Sequence, residues 1–182
     1  MKEDQNFPQR KKIRLEGYDY ASEGAYFVTV CVKNKNVSLW QNVGADSIRP
    51  QAVCLSHAGK IVETAIGQIS AHYENVVVDT YCIMPDHVHM IIFILPDGFD
   101  TSDGRMMPSG KVIPCSGRMI SAPTISTVIG QMKRWASKQI GVPLWQKSFN
   151  DRILWNEKAY REAWKYIENN PLKKYFDTHG ER

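Results

Sequence analysis

The chain has no apolar stretch long enough to cross a bilayer. Its longest such run, Met90 to Leu95, falls far short of the roughly 20 residues a spanning helix needs. The opening Met1-Lys-Glu-Asp-Gln-Asn-Phe-Pro lacks the apolar centre of a secretory leader. Cysteine is sparse and scattered. Cys31, Cys54, Cys82 and Cys115 include no CxxC pair, which argues against a zinc knuckle or a disulfide framework and fits a reducing compartment. The expected setting is cytoplasmic, with no membrane partner. Neither sign of charge dominates. A net charge of +4 is a mild basic bias, compatible with a nucleic-acid partner and equally with none. At 182 residues, 43% hydrophobic and 23% charged, the chain can bury the core of one soluble domain.

What is present is a pair of histidines in Tyr81-Cys-Ile-Met-Pro-Asp-His-Val-His-Met-Ile-Ile-Phe-Ile94. Residues two apart on a strand point to the same face, so His87 and His89 project together from an apolar β segment. Imidazole is the commonest nitrogen ligand for a divalent metal, and a paired projection suggests a metal site. Two half-buried histidines, each bonded to a backbone carbonyl, fit the spacing as well.

A second element lies near the C-terminus, Ala159-Tyr-Arg-Glu-Ala-Trp-Lys-Tyr166-Ile-Glu-Asn-Asn170-Pro-Leu-Lys-Lys174. It reads as a helix. Asn156 is a suitable N-cap, and Glu157 places negative charge in the first turn, where the helix dipole favours it. Pro171 is expected to end the helix, because the residue before a proline avoids helical dihedrals. Tyr166 and Asn170 are four apart and share a face. A phenol that can attack phosphorus and an amide oxygen that can bind a metal then stand one above the other. The plain alternatives are a core aromatic and a capping asparagine.

The remaining elements follow from periodicity. Residues 1–17 are polar and carry Arg10, Lys11, Lys12 and Arg14, either a solvated arm or a grip on phosphates. Ala25 to Val32 alternates as a first strand. Val37 to Val43 and Ala52 to Leu55 suggest an accessory hairpin around Gly44-Ala-Asp-Ser. Ser56 caps a helix to about His72, with Ile61, Val62, Ala65, Ile66 and Ile69 on one face. Val76 to Met84 is the second strand, Asp86 the turn, and His87 to Ile94 the third strand. Residues 96–123 are rich in glycine and proline and read as a long loop. Thr124 to Ile140 is a second helix, burying Ile125, Val128, Ile129, Met132 and Trp135; Gly141 ends it and Pro143 prevents its resumption. A fourth strand lies within Leu144 to Leu154.

The order βαββαβ, followed by the helix that carries Tyr166, predicts an α+β fold of the ferredoxin-like (RRM-like) plan. Its usual strand order, 4-1-3-2, puts strands one and three at the centre. The histidine pair then lies mid-sheet on the face opposite the two core helices, where the extra helix is free to bring Tyr166 over it.

His-hydrophobic-His after Met-Pro-Asp, a Trp-Gln element at Trp145-Gln146, and Tyr-Ile-x-x-Asn-Pro from Tyr166 resemble the HUH single-tyrosine transposases. The closer resemblance is to the REP-associated tyrosine transposases. Gly24-Ala-Tyr-Phe-Val-Thr-Val30 is similar to their first strand and Leu144 to Leu154 to their last. The resemblance spans roughly Tyr18 to Tyr175 and implies one catalytic domain over 18–176, with a basic arm over 1–17 and a tail at 177–182. It implies that Tyr166 attacks single-stranded DNA that bears a hairpin or palindrome, leaving a 5′-phosphotyrosine link and a free 3′-hydroxyl. It also implies His87 and His89 as metal ligands and Asn170 as the third, since the family has a polar ligand one turn after its tyrosine. Glu168 and Glu162 are weaker choices. Two imidazoles and one neutral amide suit Mg²⁺ or Mn²⁺ better than structural zinc. Relatives act as monomers or homodimers. Many carry Tyr-Asp-His where this chain has Asn150-Asp151-Arg152.

For the DNA itself, Lys133, Arg134, Lys138, Lys173 and Lys174, with the arm at Arg10, Lys11, Lys12 and Arg14, are the phosphate-contact candidates. Lys147 and Arg152 are further ones. Trp135, Trp145, Phe149, Trp155 and Trp164 are candidates for base stacking, and each has a core role as its alternative. Two other functions fit the same residues. One is a binding module of this fold that does not cut. The other is a metal-dependent phosphohydrolase that uses water, with Tyr166 structural.

Overall fold

The computed structural model describes residues 17–41, 54–96 and 123–179, with 171–179 as backbone alone. The arm residues Arg10, Lys11, Lys12 and Arg14, the tip of the accessory hairpin, nearly all of the 96–123 loop and the side chains of Lys173 and Lys174 lie outside what is described.

Four strands, β1 (Gly24–Cys31), β2 (Val76–Ile83), β3 (His87–Ile94) and β4 (Asn150–Leu154), form one sheet in the order β2-β3-β1-β4, every pair antiparallel. The expected central position of strands one and three is thus met. Helix α1 (His57–His72) starts at Ser56, whose hydroxyl accepts from the Gly59 amide. Helix α2 (Ile125–Ile140) starts at Thr124 in the same manner and stops at Gly141, which takes a left-handed φ of 81° that suits glycine alone.

Alternation along the central strands divides the interior in two. Tyr26, Val28 and Val30 of β1 and Val88, Met90, Ile92 and Ile94 of β3 pack with Val62, Ile66, Ile69, Val128, Ile129 and Met132 of α1 and α2. The other face meets the third helix, α3 (Glu157–His179). There Ala25, Cys82, Met84 and Ile91 pack with Tyr160, Ala163 and Ile167. Ile61 and Trp135, expected inside, sit half-buried at the margin of the first core, and Ala58, Gly59 and Ala136 take the inner positions instead.

Helix α3 departs from expectation at one point. It does not end at Pro171 but runs through it to His179. The bias of a residue before proline is local and steric, and here the helix continues past it without a packing contact among the described residues that explains why. Asn170 is therefore interior to the helix and caps nothing.

The base of the accessory hairpin is present as an antiparallel bridge between Trp40 and Leu55, with the Gln41 amide donating to the Cys54 carbonyl at 2.8 Å. Cys31, Cys54 and Cys82 are free thiols. Among the described residues no helix is long and apolar enough to cross a membrane.

Candidate active site

The two histidines enter from β3 immediately after a tight turn. The Met84 amide donates to the His87 carbonyl at 2.8 Å, the Leu39 amide to Pro85 at 2.9 Å and the Val32 amide to Asp86 at 2.8 Å. The turn thus closes on itself, and two further segments clamp Pro85 and Asp86 through their carbonyls. The Asp86 side chain is left exposed, with Oδ1 2.7 Å from His87 Nδ1. On the neighbouring strand, Thr29 is the register partner of His89, and its Oγ1 lies 2.9 Å from His89 Nδ1.

With both Nδ1 atoms engaged by oxygens, the two Nε2 atoms point at each other, 3.0 Å apart. Two bare nitrogen lone pairs at that distance repel unless a proton or a cation lies between them. An acceptor oxygen behind each imidazole is the arrangement that orients metal-bound histidines. Two ligands about 2.1 Å from one ion and at right angles to each other would be ~3 Å apart, so the spacing fits one octahedral edge. His89 is 6% exposed. Burial, with the nearby His87 adding to it, pushes its pKa down to about 4, so the ring is neutral and free to act as a ligand at physiological pH. Among the described residues no third histidine, cysteine or carboxylate completes a cluster with the pair. Further ligands would be amide, water or substrate oxygens.

Helix α3 brings Tyr166 to this point. Its cap is the one expected: Asn156 Oδ1 accepts from the Ala159 amide at 2.9 Å. Its rotation is fixed from beneath by Tyr160, whose hydroxyl donates to Asp79 Oδ2 at 2.7 Å. Asp79 is 6% exposed and stands where the β2–β3 register shifts between Val78 and Thr80. The Tyr166 ring lies edge-on to His89, with centroids 5.2 Å apart, and 6.0 Å from Phe27. It remains 52% exposed, so a substrate can reach it. Phe27 stacks on His89 at 5.3 Å and carries the Arg152 guanidinium over its ring at 5.7 Å. A row therefore runs across the open sheet face from cation to aromatic ring to ligand pair, with the phenol above it.

The structure brings together Tyr166, His87 and His89. Asn170 is one turn beyond Tyr166 and half-buried, and its amide nitrogen is buried with no hydrogen-bond partner. No hydrogen bond joins it to either imidazole among the described contacts. Because amide O and N are assigned from such contacts, its end group is open to an oxygen-ligand role. Glu162 and Glu168 are exposed on α3. Lys133 is not a free cation: its ammonium donates to the carbonyls of Gln146 at 2.6 Å and Ser148 at 3.2 Å. Of the aromatic candidates, Trp145 is buried, Trp135, Phe149 and Trp164 are half-buried, and Trp155 is 66% exposed.

Thr29, Phe27, Asp86 and Arg152 surround the pair; from the sequence Asp86 is a turn residue, and Thr29 and Phe27 carry no site role. The alternation of β1 carried the signal for Thr29 and Phe27, which share a face. Asp86 was visible as the neighbour of His87.

No protein-family profile matches the chain. An uncharacterized protein of Haemophilus influenzae is 30% identical over 168 residues, which cover 90% of this chain and 88% of that protein. The chain belongs to one family with it. Among solved structures, a REP-associated tyrosine transposase bound to a REP hairpin superposes with a TM-score of 0.57 at 21% identity, over 88% of this chain and 74% of that one. The chain therefore has the fold of the REP-associated tyrosine transposases, as its motifs suggest.

Proposed function

We propose that the protein is a metal-dependent endonuclease and strand transferase for single-stranded DNA, with Tyr166 as nucleophile. The observation that carries this reading is the half-exposed Tyr166 phenol standing over two imidazoles whose Nε2 atoms converge at 3.0 Å. A hairpin-bearing strand, as in the complex of the structural neighbour, is the proposed substrate.

In the proposed reaction, the Tyr166 oxygen attacks phosphorus and the phenolic proton passes to solvent, to which the half-exposed side chain is open. The bond to the 3′ oxygen breaks, and that oxygen takes up a proton as the free 3′-hydroxyl. The 5′ side stays joined to Tyr166 until a 3′-hydroxyl attacks the link and restores the phenol. No external energy source is needed, because one phosphodiester replaces another. His87 and His89, with Asn170 as a third donor, would hold Mg²⁺ or Mn²⁺, which supplies Lewis-acid polarisation of the scissile phosphate. Asp86 and Thr29 hold the imidazoles with Nε2 outward. Phe27 walls the site, and Arg152 adds positive charge beside it. Helix α3 packs on the sheet of its own chain, and in this reading Tyr166 would act in cis.

Incubation with hairpin-bearing single-stranded DNA and Mn²⁺, followed by a denaturing protein gel, tests the proposal. A shifted covalent protein–DNA band is the expected result. Cleavage without that band would instead indicate a hydrolase, and binding without cleavage a silent binding module.

A further inference from the structure

Beyond the tyrosine site, α2 and the turn that follows it line a shallow cleft of about 600 Å³, wide open to solvent. Gly141 turns the chain, the Leu144 amide donates to Ser137 Oγ at 3.3 Å, and Lys133 ties down the carbonyls of Gln146 and Ser148. The walls carry Arg134, Lys138 and Lys147 and no carboxylate. All three side chains are exposed, and among the described residues none has an ion-pair partner. Trp145 also lines the cleft, and its indole N–H is buried without an acceptor.

The cleft adjoins the end of the sheet that bears the histidines. The Gln146 amide donates to the Cys31 carbonyl at 2.9 Å and the Lys33 amide to Leu144 at 2.7 Å. Cys31 is in turn the register partner of His87. One strand, β1, therefore separates the cleft wall from the histidine strand. Strands lie about 4.8 Å apart, so wall and histidine strand are roughly 10 Å apart.

We propose that this cleft holds the phosphodiester backbone of single-stranded DNA flanking the phosphate presented to Tyr166. The proposal rests on the functional reading above and adds a path for the strand. Three unpaired cations without a carboxylate form a surface that attracts a polyanion, and the tethering by Lys133 keeps it in shape. The chemistry recognised is backbone phosphate, so binding here is independent of base sequence.

The test is fluorescence anisotropy with labelled oligo-dT in EDTA, where no cleavage interferes, across a salt series. The combined variant Arg134→Gln, Lys138→Gln, Lys147→Gln is compared with the wild type. A second variant, Lys60→Gln, Lys158→Gln, Lys165→Gln, loses the same charge elsewhere. Each lost phosphate contact on a single strand lowers the slope of log affinity against log salt by about 0.7. The cleft variant is expected to lose about 2 from that slope, and the control nothing. A wild-type slope in the cleft variant, or an equal loss in both variants, would overturn the proposal. Failure of the covalent-band assay would bear on Tyr166 and leave this result standing.

Discussion

Burial keeps the His89 imidazole neutral, with its pKa pushed down from 6.5 to about 4. Such a group contributes stability that is complete above pH 6.5 and is lost as the pH falls toward 4, because the charged ring must be desolvated in the folded state alone. The metal-free protein should therefore lose melting temperature across that interval. His89→Gln, which removes the titrating ring, should flatten the loss, and equal slopes in the two proteins would show that His89 does not titrate as described. Asp86 has a different part. Its carboxylate accepts from His87 Nδ1 on the solvent side, while its backbone is clamped independently. Asp86→Asn should leave the melting temperature nearly unchanged and weaken Mn²⁺ binding by about 10- to 100-fold, as loss of an orienting partner typically does. Calorimetric titration with Mn²⁺ measures this directly, and unchanged affinity would remove Asp86 from the site. These partners were only half-legible in the sequence. Asp86 adjoins His87, but Thr29 reaches His89 across sixty residues of chain, through a strand register that only pairing defines.

At the scale of elements, α3 decides whether the sheet face is a site at all. Its start was readable from Asn156 and Glu157, and its shared Tyr166–Asn170 face from their spacing. Its end was not. Proline is a local signal, and the helix runs on through Pro171 to His179. Nor did the sequence disclose what sets the rotation of α3. The buried Tyr160–Asp79 hydrogen bond does so, and Asp79 is available because the β2–β3 register slips beside it. Tyr160→Phe keeps the ring in its apolar contacts and deletes this bond, for an expected loss of about 1.5–3 kcal/mol on denaturant unfolding. Tyr166→Phe, whose hydroxyl is on the open side, should cost almost nothing in stability. If the two substitutions prove equally mild, the buried pair is not what holds α3 in register.

For the molecule as a whole, the topology was legible because its strands alternate cleanly. The even positions of β1 and β3 are apolar and face α1 and α2, so the histidines at 87 and 89 had to face the other way. The cleft beside α2 was not legible. Lys133, Arg134 and Lys138 were visible as a basic stretch, but only the fold adds Lys147 to the last two and turns Lys133 into a tether. The central claim joins these levels: one face of the sheet holds a ligand pair, and one helix holds a nucleophile above it. Peptide mapping by mass spectrometry of the protein after reaction with hairpin-bearing single-stranded DNA and Mn²⁺ tests it most directly. A nucleotide adduct is expected on the peptide that contains Tyr166, absent in Tyr166→Phe and in His87→Ala. An adduct on Tyr160 or Tyr175 instead, or one that persists in Tyr166→Phe, would contradict it.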